Sequence, residues 1–200
     1  MKVLVTGGAG YIGSVTAKAL EQAGHVPLIL DSLLTGPQVF VRDRVFYEGD
    51  IADRALLGRI VEEHPDLDAT IHMAARIVVP ESVALPYEYY RDNVAKSLEL
   101  FDQLEQLGKP RVLFSSSASL YATKQDFEVL EGDPLDPPSP YARTGGECAV
   151  GTCARPAPSA HNRRGSRSSS SAPPAAGSER RTPAGRGNDA RSSVSAECRR

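Results

Sequence analysis

The chain has 200 residues, a formal net charge of −2 at pH 7 and 40% hydrophobic residues. This length allows one domain with a sizeable core. No apolar run approaches the roughly 20 residues of a membrane span. The N-terminal segment also lacks the long apolar stretch that is typical of a signal peptide. All three cysteines lie beyond residue 145, so nothing indicates a disulfide framework, and we expect a cytoplasmic protein with no membrane partner.

The apolar segments predict strands that alternate with helices. The predicted strands are short apolar runs: 2–6, 25–30, 45–47, 69–73 and 111–115. The predicted helices have apolar residues near 3.6-residue spacing: 11–23, 53–63 and 86–107. Strands and helices in this alternation form parallel sheets through right-handed crossovers. The sequence therefore predicts an α/β fold with a doubly wound parallel sheet of the Rossmann type in residues 1–145.

Residues 146–200 have a different composition. They contain ten arginines and four acidic residues, about +6, which leaves about −8 for residues 1–145. Ala, Gly, Pro, Arg and Ser make up 41 of the 55 residues, and the only larger aliphatic side chains are two valines. Such a segment buries too little apolar surface to offset the conformational entropy lost on folding. We expect a disordered basic tail.

Three interpretations of this tail are open. Its arginines could attract the phosphates of a nucleic acid or a membrane surface. Alternatively, a segment rich in Ser, Pro and Gly could be a flexible linker. The third interpretation is GC-rich DNA read out of frame, because four of the five abundant residues have codons that begin with two G or C bases. We favour the third interpretation, since the composition changes at residues 144–145, inside a motif that begins at Tyr141 and not at a domain boundary. We expect no nucleic-acid partner.

The loop after the first predicted strand carries the clearest functional pattern. Gly7, Gly10 and Gly13 stand at Gly-x-x-Gly-x-x-Gly spacing before a predicted helix. Glycines there permit a tight turn and let backbone N–H groups approach a pyrophosphate at the positive end of the helix. Asp31 follows the second predicted strand, where a carboxylate bonds ribose hydroxyls and repels a 2′-phosphate. The pattern predicts a site for NAD rather than NADP.

Several motifs resemble those of the extended short-chain dehydrogenase/reductases, a family of NAD-dependent epimerases and dehydratases. They occur in the family's order within residues 1–144: TGGAGYIGS (6–14), DSLLTG (31–36), GDI (49–51), HMAA (72–75), YYRDN (89–93) and SSSASLY (115–121). The resemblance implies these cofactor-binding residues: Gly7, Gly10, Tyr11, Ile12, Gly13, Asp31, Asp50, Ile51, Ala74, Ala75, Asn93 and Ser115. Among them, Asp50 and Ile51 would contact adenine, and Asn93 would support the active site.

The resemblance also implies two catalytic residues and no metal ion. Ser117 corresponds to the catalytic serine before alanine, and Tyr141 to the general base of the family's Tyr-x-x-x-Lys. The implied reaction is 4-epimerisation of a UDP-sugar such as UDP-glucose or UDP-galactose. Hydride passes from the sugar C4 to NAD while Tyr141 takes the hydroxyl proton, and the 4-keto sugar regains hydride on its other face.

Two alternatives to this reaction are open. Dehydratases of the same family carry Thr-Asp-Glu where this chain has Ser116-Ser117-Ala118, because they need acidic groups to eliminate water. That difference favours epimerisation, but the sugar is not assigned, and an epimerase or dehydratase acting on another nucleotide sugar is possible. The second alternative is a non-catalytic NAD-binding module.

Position 145 departs from the family pattern. The family has a lysine one helical turn after the tyrosine, where its charge favours the phenolate and its amine contacts the nicotinamide ribose, whereas this chain has Gly145. Arg143 would face another side of the helix. The resemblance further implies a homodimer, additional strands and a substrate domain after this helix. We therefore expect a truncated or frame-shifted chain, with a sheet incomplete at its C-terminal side and no epimerase activity.

Overall fold

A computed structural model describes residues 1–122, 128–130 and 132–153. Five parallel strands form one sheet in the order β3-β2-β1-β4-β5. Their bounds are β1 Lys2–Thr6, β2 Val26–Asp31, β3 Val45–Glu48, β4 Leu67–His72 and β5 Val112–Phe114. The order reverses at β1, because β2 and β3 lie on one side of it and β4 and β5 on the other. This confirms the doubly wound parallel sheet.

Helices connect the strands. The helical segments are α1 Tyr11–Gln22, α2 Arg54–Glu63, α3 Val79–Ala84, α4 Pro86–Tyr89, a π-helical turn Tyr90–Ala95, α5 Lys96–Gln106 and α6 Pro140–Cys153. Two 3-10 turns cover Gln38–Val41 and Ala118–Leu120. The single helix predicted over 86–107 is thus three consecutive segments with a π turn in the middle, and the sequence did not predict α3 or the 3-10 turns.

Both faces of the sheet are buried by helices. On β1, Val3 and Val5 belong to one apolar cluster with Ala17 of α1. Leu4, which points to the opposite face, belongs to a second cluster with Leu57 of α2 and further side chains of α5. Alternate residues of a strand face opposite sides of the sheet, and a sheet covered on both faces has nearly continuous apolar strands. This explains the apolar runs in the sequence.

Helix α6 continues past the predicted end of the folded domain. Ser139 caps it, because its Oγ accepts a hydrogen bond from the backbone nitrogen of Ala142 at 3.1 Å. The Cys148 side chain is buried in the cluster that contains Leu57 and α5. Residues 146–153, which composition alone placed in a disordered tail, are therefore helical, and the rest of that tail lies outside the described residues. Within the described part of the chain, none of the helices could cross a membrane by length and hydropathy.

Candidate functional site

The chain turns sharply after β1 and packs closely against neighbouring backbone. Gly7 has a φ of +72°, and a Cβ at this position would lie 2.6 Å from the backbone nitrogen of Ala74. A Cβ on Gly13 would overlap the carbonyl oxygen of Gly7. Left-handed backbone and such close approach both require glycine. The glycine spacing in the sequence therefore corresponds to a steric requirement of this turn.

The N-terminus of α1 faces this turn and is uncapped. Its N-cap is Gly10, which has no side chain to accept a hydrogen bond, and the first turn contains no acidic residue in this described segment. The side chains of Tyr11 and Ile12 are 81% and 63% exposed. The first N–H groups of a helix have no intrahelical acceptors, and the helix dipole makes this end positive. The arrangement fits a phosphate or pyrophosphate group.

Asp31 lies at the carboxyl end of β2, beside the glycine turn. Its Oδ2 accepts a hydrogen bond from the nitrogen of Ala9 at 2.9 Å, and its Oδ1 accepts one from the nitrogen of Leu33 at 2.8 Å. Leu33 has a φ of +56°, a conformation that is uncommon for residues with a Cβ. Since each carboxylate oxygen has a second lone pair, the half-buried Asp31 remains able to accept bonds from a ribose.

Asp50 follows β3, the strand next to β2. The nitrogen of Gly49 donates to the carbonyl oxygen of Asp31 at 3.0 Å, which ties the two strand ends together. The Asp50 carboxylate accepts from the nitrogen of Ala52 at 2.9 Å and from Nζ of Lys96 at 2.5 Å. Ile51 beside it is buried. Polar and apolar groups suited to a nucleoside therefore line the edge from β1 to β3.

The strands on the other side of β1 contribute three further predicted cofactor residues. After β4, Ala74 is half-buried against Gly7 and Ala75 is exposed. After β5, the exposed Ser115 donates its backbone N–H to the carbonyl oxygen of His72 at 3.0 Å. All of these residues lie where strands end at the carboxyl edge of the sheet. Ligands of open α/β sheets bind at this edge, where the strand order reverses.

A buried hydrogen-bonded chain runs behind this edge. Nδ1 of His72 lies 2.6 Å from Oγ1 of Thr6, and Nε2 lies 2.8 Å from Oγ of Ser97. Ser97 donates its hydroxyl hydrogen to the carbonyl oxygen of Asn93 at 2.7 Å, so Nε2 is the nitrogen that carries the proton and Nδ1 accepts from Thr6. Burial lowers the pKa of His72 to about 4. The imidazole is therefore neutral at pH 7.

Asn93 lies in the π-helical turn and is buried. Its Oδ1 accepts from the nitrogen of Arg76 at 2.8 Å, and its Nδ2 donates to the Arg76 oxygen at 3.0 Å and to Oγ1 of Thr144 at 3.2 Å. These bonds connect the segment after β4 with α6. Single π turns within helices occur frequently at functional sites. The structure places Asn93 as a support between these two segments, and its contact with the cofactor stays a prediction.

The two predicted catalytic residues lie on adjacent elements. Ser117 precedes the 3-10 turn after β5, and its half-buried Oγ lies 2.8 Å from Oγ of Ser119. Tyr141 is half-buried in the first turn of α6. Helix α6 packs against the 3-10 turn, where a Cβ on Gly146 would lie 2.9 Å from Cδ2 of Leu120. The described fold thus brings the serine segment next to the helix that carries the tyrosine.

Gly145 also faces the serine segment. A Cβ at this position would lie 3.9 Å from Oγ of Ser116 and 3.9 Å from Cδ2 of Leu120, which is ordinary van der Waals contact. The backbone therefore has room for a side chain there, directed towards Ser116. Arg143 is exposed, and its Nε donates to the carbonyl oxygen of Pro137 at 3.5 Å. It lies against another part of the chain, as expected for a residue two positions from Tyr141 on a helix.

The fold and the site define a dinucleotide-binding α/β protein with its ligand edge at the strand-order reversal. The chain belongs to the NAD dependent epimerase/dehydratase family, whose sequence profile matches residues 3–145. It is 41% identical over 145 residues to a UDP-glucose 4-epimerase of Lactobacillus helveticus, covering 72% of this chain and 44% of that protein. It is 43% identical over 141 residues to the UDP-glucose 4-epimerase of Azospirillum brasilense, covering 70% and 40%.

Solved structures show the same similarity. The UDP-glucose 4-epimerase from Brucella ovis, in complex with NAD, has a TM-score of 0.70 and 42% identity, over 74% of this chain and 45% of that one. The Bifidobacterium longum enzyme, in complex with NAD⁺ and UDP, has a TM-score of 0.71 and 30% identity, over 76% and 48%. The chain thus spans less than half the length of these relatives.

Proposed function

We propose that this chain is the NAD-binding part of a UDP-sugar 4-epimerase, and that it binds NAD without turning over a sugar. The observation that carries NAD binding is the turn at Gly7 beneath the uncapped end of α1, with Asp31 on the neighbouring strand. NAD in the complexes of related epimerases supports the same conclusion. The negative charge of Asp31 disfavours a 2′-phosphate, so NAD is preferred over NADP.

Each part of the dinucleotide would have a partner at the strand ends. The N–H groups of Tyr11 and Ile12 would hold the pyrophosphate, Asp31 would accept from the adenosine ribose, and Asp50 would lie at the base. Ala74 and Ala75 would line the path towards the nicotinamide, near Ser115. When bound, NAD supplies the hydride acceptor and donor of the reaction.

The proton-transfer side of the reaction depends on Ser117 and Tyr141. In an active epimerase of this family, Ser117 would hold the 4-hydroxyl of the sugar, and Tyr141 would take its proton. A free phenol ionises at about pH 10, so a tyrosine base at neutral pH needs a nearby cation that stabilises the phenolate. Because position 145 is glycine, the helix supplies no cation one turn after Tyr141. We therefore propose that the chain has no epimerase activity.

The related proteins support a class of substrate. We propose UDP-glucose and UDP-galactose as substrates of the lineage, because the matched relatives are UDP-glucose 4-epimerases. One solved neighbour, from Campylobacter jejuni, is a UDP-Glc/GlcNAc 4-epimerase at 34% identity, which supports an N-acetylated sugar as the second candidate.

We also propose that full-length members of this lineage pair as homodimers, a pairing that is doubtful for the present chain. Apolar side chains on α3 and on the segment that follows it are exposed, Val83 by 65% and Tyr87 by 72%. Exposed apolar patches often mark protein interfaces. Analytical ultracentrifugation of a full-length member of the lineage tests the pairing: a concentration-dependent dimer is expected, and a monomer at every concentration would contradict it.

Two glycine variants test the NAD site. A Cβ on Gly10 would lie 3.2 Å from the oxygen of Gly7, at the entrance to the helix end, whereas a Cβ on Gly58 in α2 meets nothing within 4 Å. Gly10→Ala should weaken NAD binding about tenfold or more by keeping the pyrophosphate from the backbone. Gly58→Ala is the matched control and should leave the dissociation constant unchanged. Equal affinity in all three proteins would show that NAD does not use this turn.

An activity assay tests the second half of the proposal. The purified chain is incubated with UDP-galactose and saturating NAD, and the formation of UDP-glucose is followed. No turnover is expected, because Gly145 provides no charge for Tyr141. Measurable turnover would show that the family lysine is dispensable in this protein, and it would overturn the proposed inactivity without affecting the NAD site.

A further inference from the structure

A lysine on α5 bridges two acidic residues at the edge that carries the candidate site. Nζ of Lys96 lies 2.5 Å from Oδ2 of Asp50 and 3.1 Å from Oδ1 of Asp92. Asp50 follows β3, whereas Asp92 belongs to the π-helical turn. The bridge therefore connects the end of β3 with the helical segment that lies between β4 and β5 in the chain.

Asp92 is a firm anchor for this lysine. It also accepts from Nε of Arg76 at 2.6 Å and from Nε of Arg91 at 2.9 Å, and its side chain is only 14% exposed. Burial alone raises the pKa of Asp92, but the bonds from Arg91, Arg76 and Lys96 outweigh it and hold the pKa well below its usual range. Asp92 therefore stays ionised at neutral and mildly acidic pH, and Lys96 keeps a charged partner.

The second partner of the lysine has fewer constraints. The Asp50 side chain is 45% exposed, and its two oxygens are held by one backbone N–H, that of Ala52, and by Lys96. An exposed carboxylate with one partner rotates freely, whereas partners on both oxygens fix its plane. Each oxygen keeps a lone pair for a further donor. Asp50 is therefore an oriented acceptor at the ligand edge.

The order of the strands indicates which donor this acceptor meets. With the pyrophosphate held at the end of β1 and the adenosine ribose at Asp31 after β2, as proposed above, the base would extend towards β3 and Asp50. Adenine presents an exocyclic amino group, which is a hydrogen-bond donor. Hypoxanthine has a carbonyl oxygen at the same position, which a carboxylate repels. A fixed carboxylate there discriminates between the two bases.

We propose that Lys96 is a positioning residue for base recognition: it orients the Asp50 carboxylate to accept from the 6-amino group of adenine and so gives the site its preference for adenine. The inference deepens the proposed NAD site and rests on it. Lys96 itself touches no reacting atom, and its effect passes through Asp50.

The test compares NAD with nicotinamide hypoxanthine dinucleotide by isothermal titration calorimetry. A hydrogen bond to a charged acceptor corresponds to roughly tenfold in affinity, so the wild-type chain should bind NAD about tenfold more tightly. Lys96→Met should reduce this ratio to about threefold or less, and Lys96→Arg should restore it. Asp50→Asn should also lower the ratio. A merely structural lysine would weaken both ligands equally, so an unchanged ratio in Lys96→Met would overturn the inference.

A measurement without nucleotide tests the coupling between Lys96 and Asp50 directly. Urea unfolding midpoints are compared for Asp50→Asn, Lys96→Met and the double variant, and non-additive shifts are expected, because each single change breaks the same ion pair. Additive shifts would overturn the coupling on which the inference depends. Failure of the wild-type chain to bind NAD would instead overturn the proposed function and this inference with it, whereas NAD binding with an unchanged ligand ratio would overturn this inference alone.

Discussion

Acidification should destabilise this protein through one buried histidine. His72 is fully buried, its Nδ1 accepts from Thr6, and its Nε2 donates to Ser97. Protonation would place a charge in the core and turn Nδ1 into a donor that faces a hydroxyl hydrogen. The Thr6 hydroxyl would then have to rotate and lose its present bond. The folded state therefore resists protonation, whereas the unfolded chain takes up the proton freely.

The size of this effect follows from the two pKa values. Burial lowers the pKa of His72 to about 4, from an ordinary value of 6.5. The folded-state pKa lies below the unfolded one, so the stability contribution is complete above pH 6.5 and is lost as the pH falls towards 4. The full shift corresponds to about 3 kcal/mol, of which about 2 kcal/mol is lost between about pH 7.5 and about pH 5.

Urea unfolding at a series of pH values measures this loss. The free energy of unfolding of the wild-type chain should fall by about 2 kcal/mol over that interval. His72→Gln should be less stable at pH 7.5 but should show a flatter pH dependence between pH 7.5 and pH 5, because its side chain does not titrate. Parallel pH profiles for the two proteins, or a wild-type protein that gains stability on acidification, would contradict the proposed effect of His72.

Four further predictions concern α2, α6 and the tail. Leu57→Ala empties a fully buried position and should lower the free energy of unfolding by about 3 kcal/mol in urea, whereas Gly58→Ala, which has open space, should raise it by up to about 1 kcal/mol. Gly145→Lys should tighten NAD binding in calorimetry, because the amine of the family lysine contacts the nicotinamide ribose. Unchanged affinity would contradict such a contact at position 145. Sequencing the gene across the codons for Thr144 and Gly145 should reveal another frame that encodes lysine at 145, if the out-of-frame interpretation is right.

The sheet and the glycine turn could be predicted because their signals are local. A strand buried on both faces reads as a continuous apolar run, and the steric demands at Gly7 and Gly13 can be met by one residue type only. The acid at the end of β2 is equally local, since its position follows from the strand itself. These features required no knowledge of which distant residues meet.

The rest of the site arises from contacts between distant segments. The bonds from Asn93 to Arg76 and Thr144, and the pair formed by Lys96 and Asp50, join residues that sequence spacing does not relate. The left-handed conformation of Leu33 could not be predicted either, because a leucine gives no sign of it.

Composition also misplaced the end of the folded region. Residues 146–153 are poor in large apolar side chains, yet they continue a helix that begins at Pro140 and is capped by Ser139. Within this segment, the Cys148 side chain is buried in the core cluster. Average composition over 55 residues could not reveal a short segment that follows the pattern of the preceding helix.

The most direct test of the proposed NAD site is the binding of NAD and NADP to the purified chain, measured by calorimetry under identical conditions. We predict saturable binding of one NAD per chain and an affinity for NADP that is at least about tenfold lower, because the carboxylate of Asp31 repels a 2′-phosphate. No saturable binding of NAD, or equal affinity for the two dinucleotides, would contradict it.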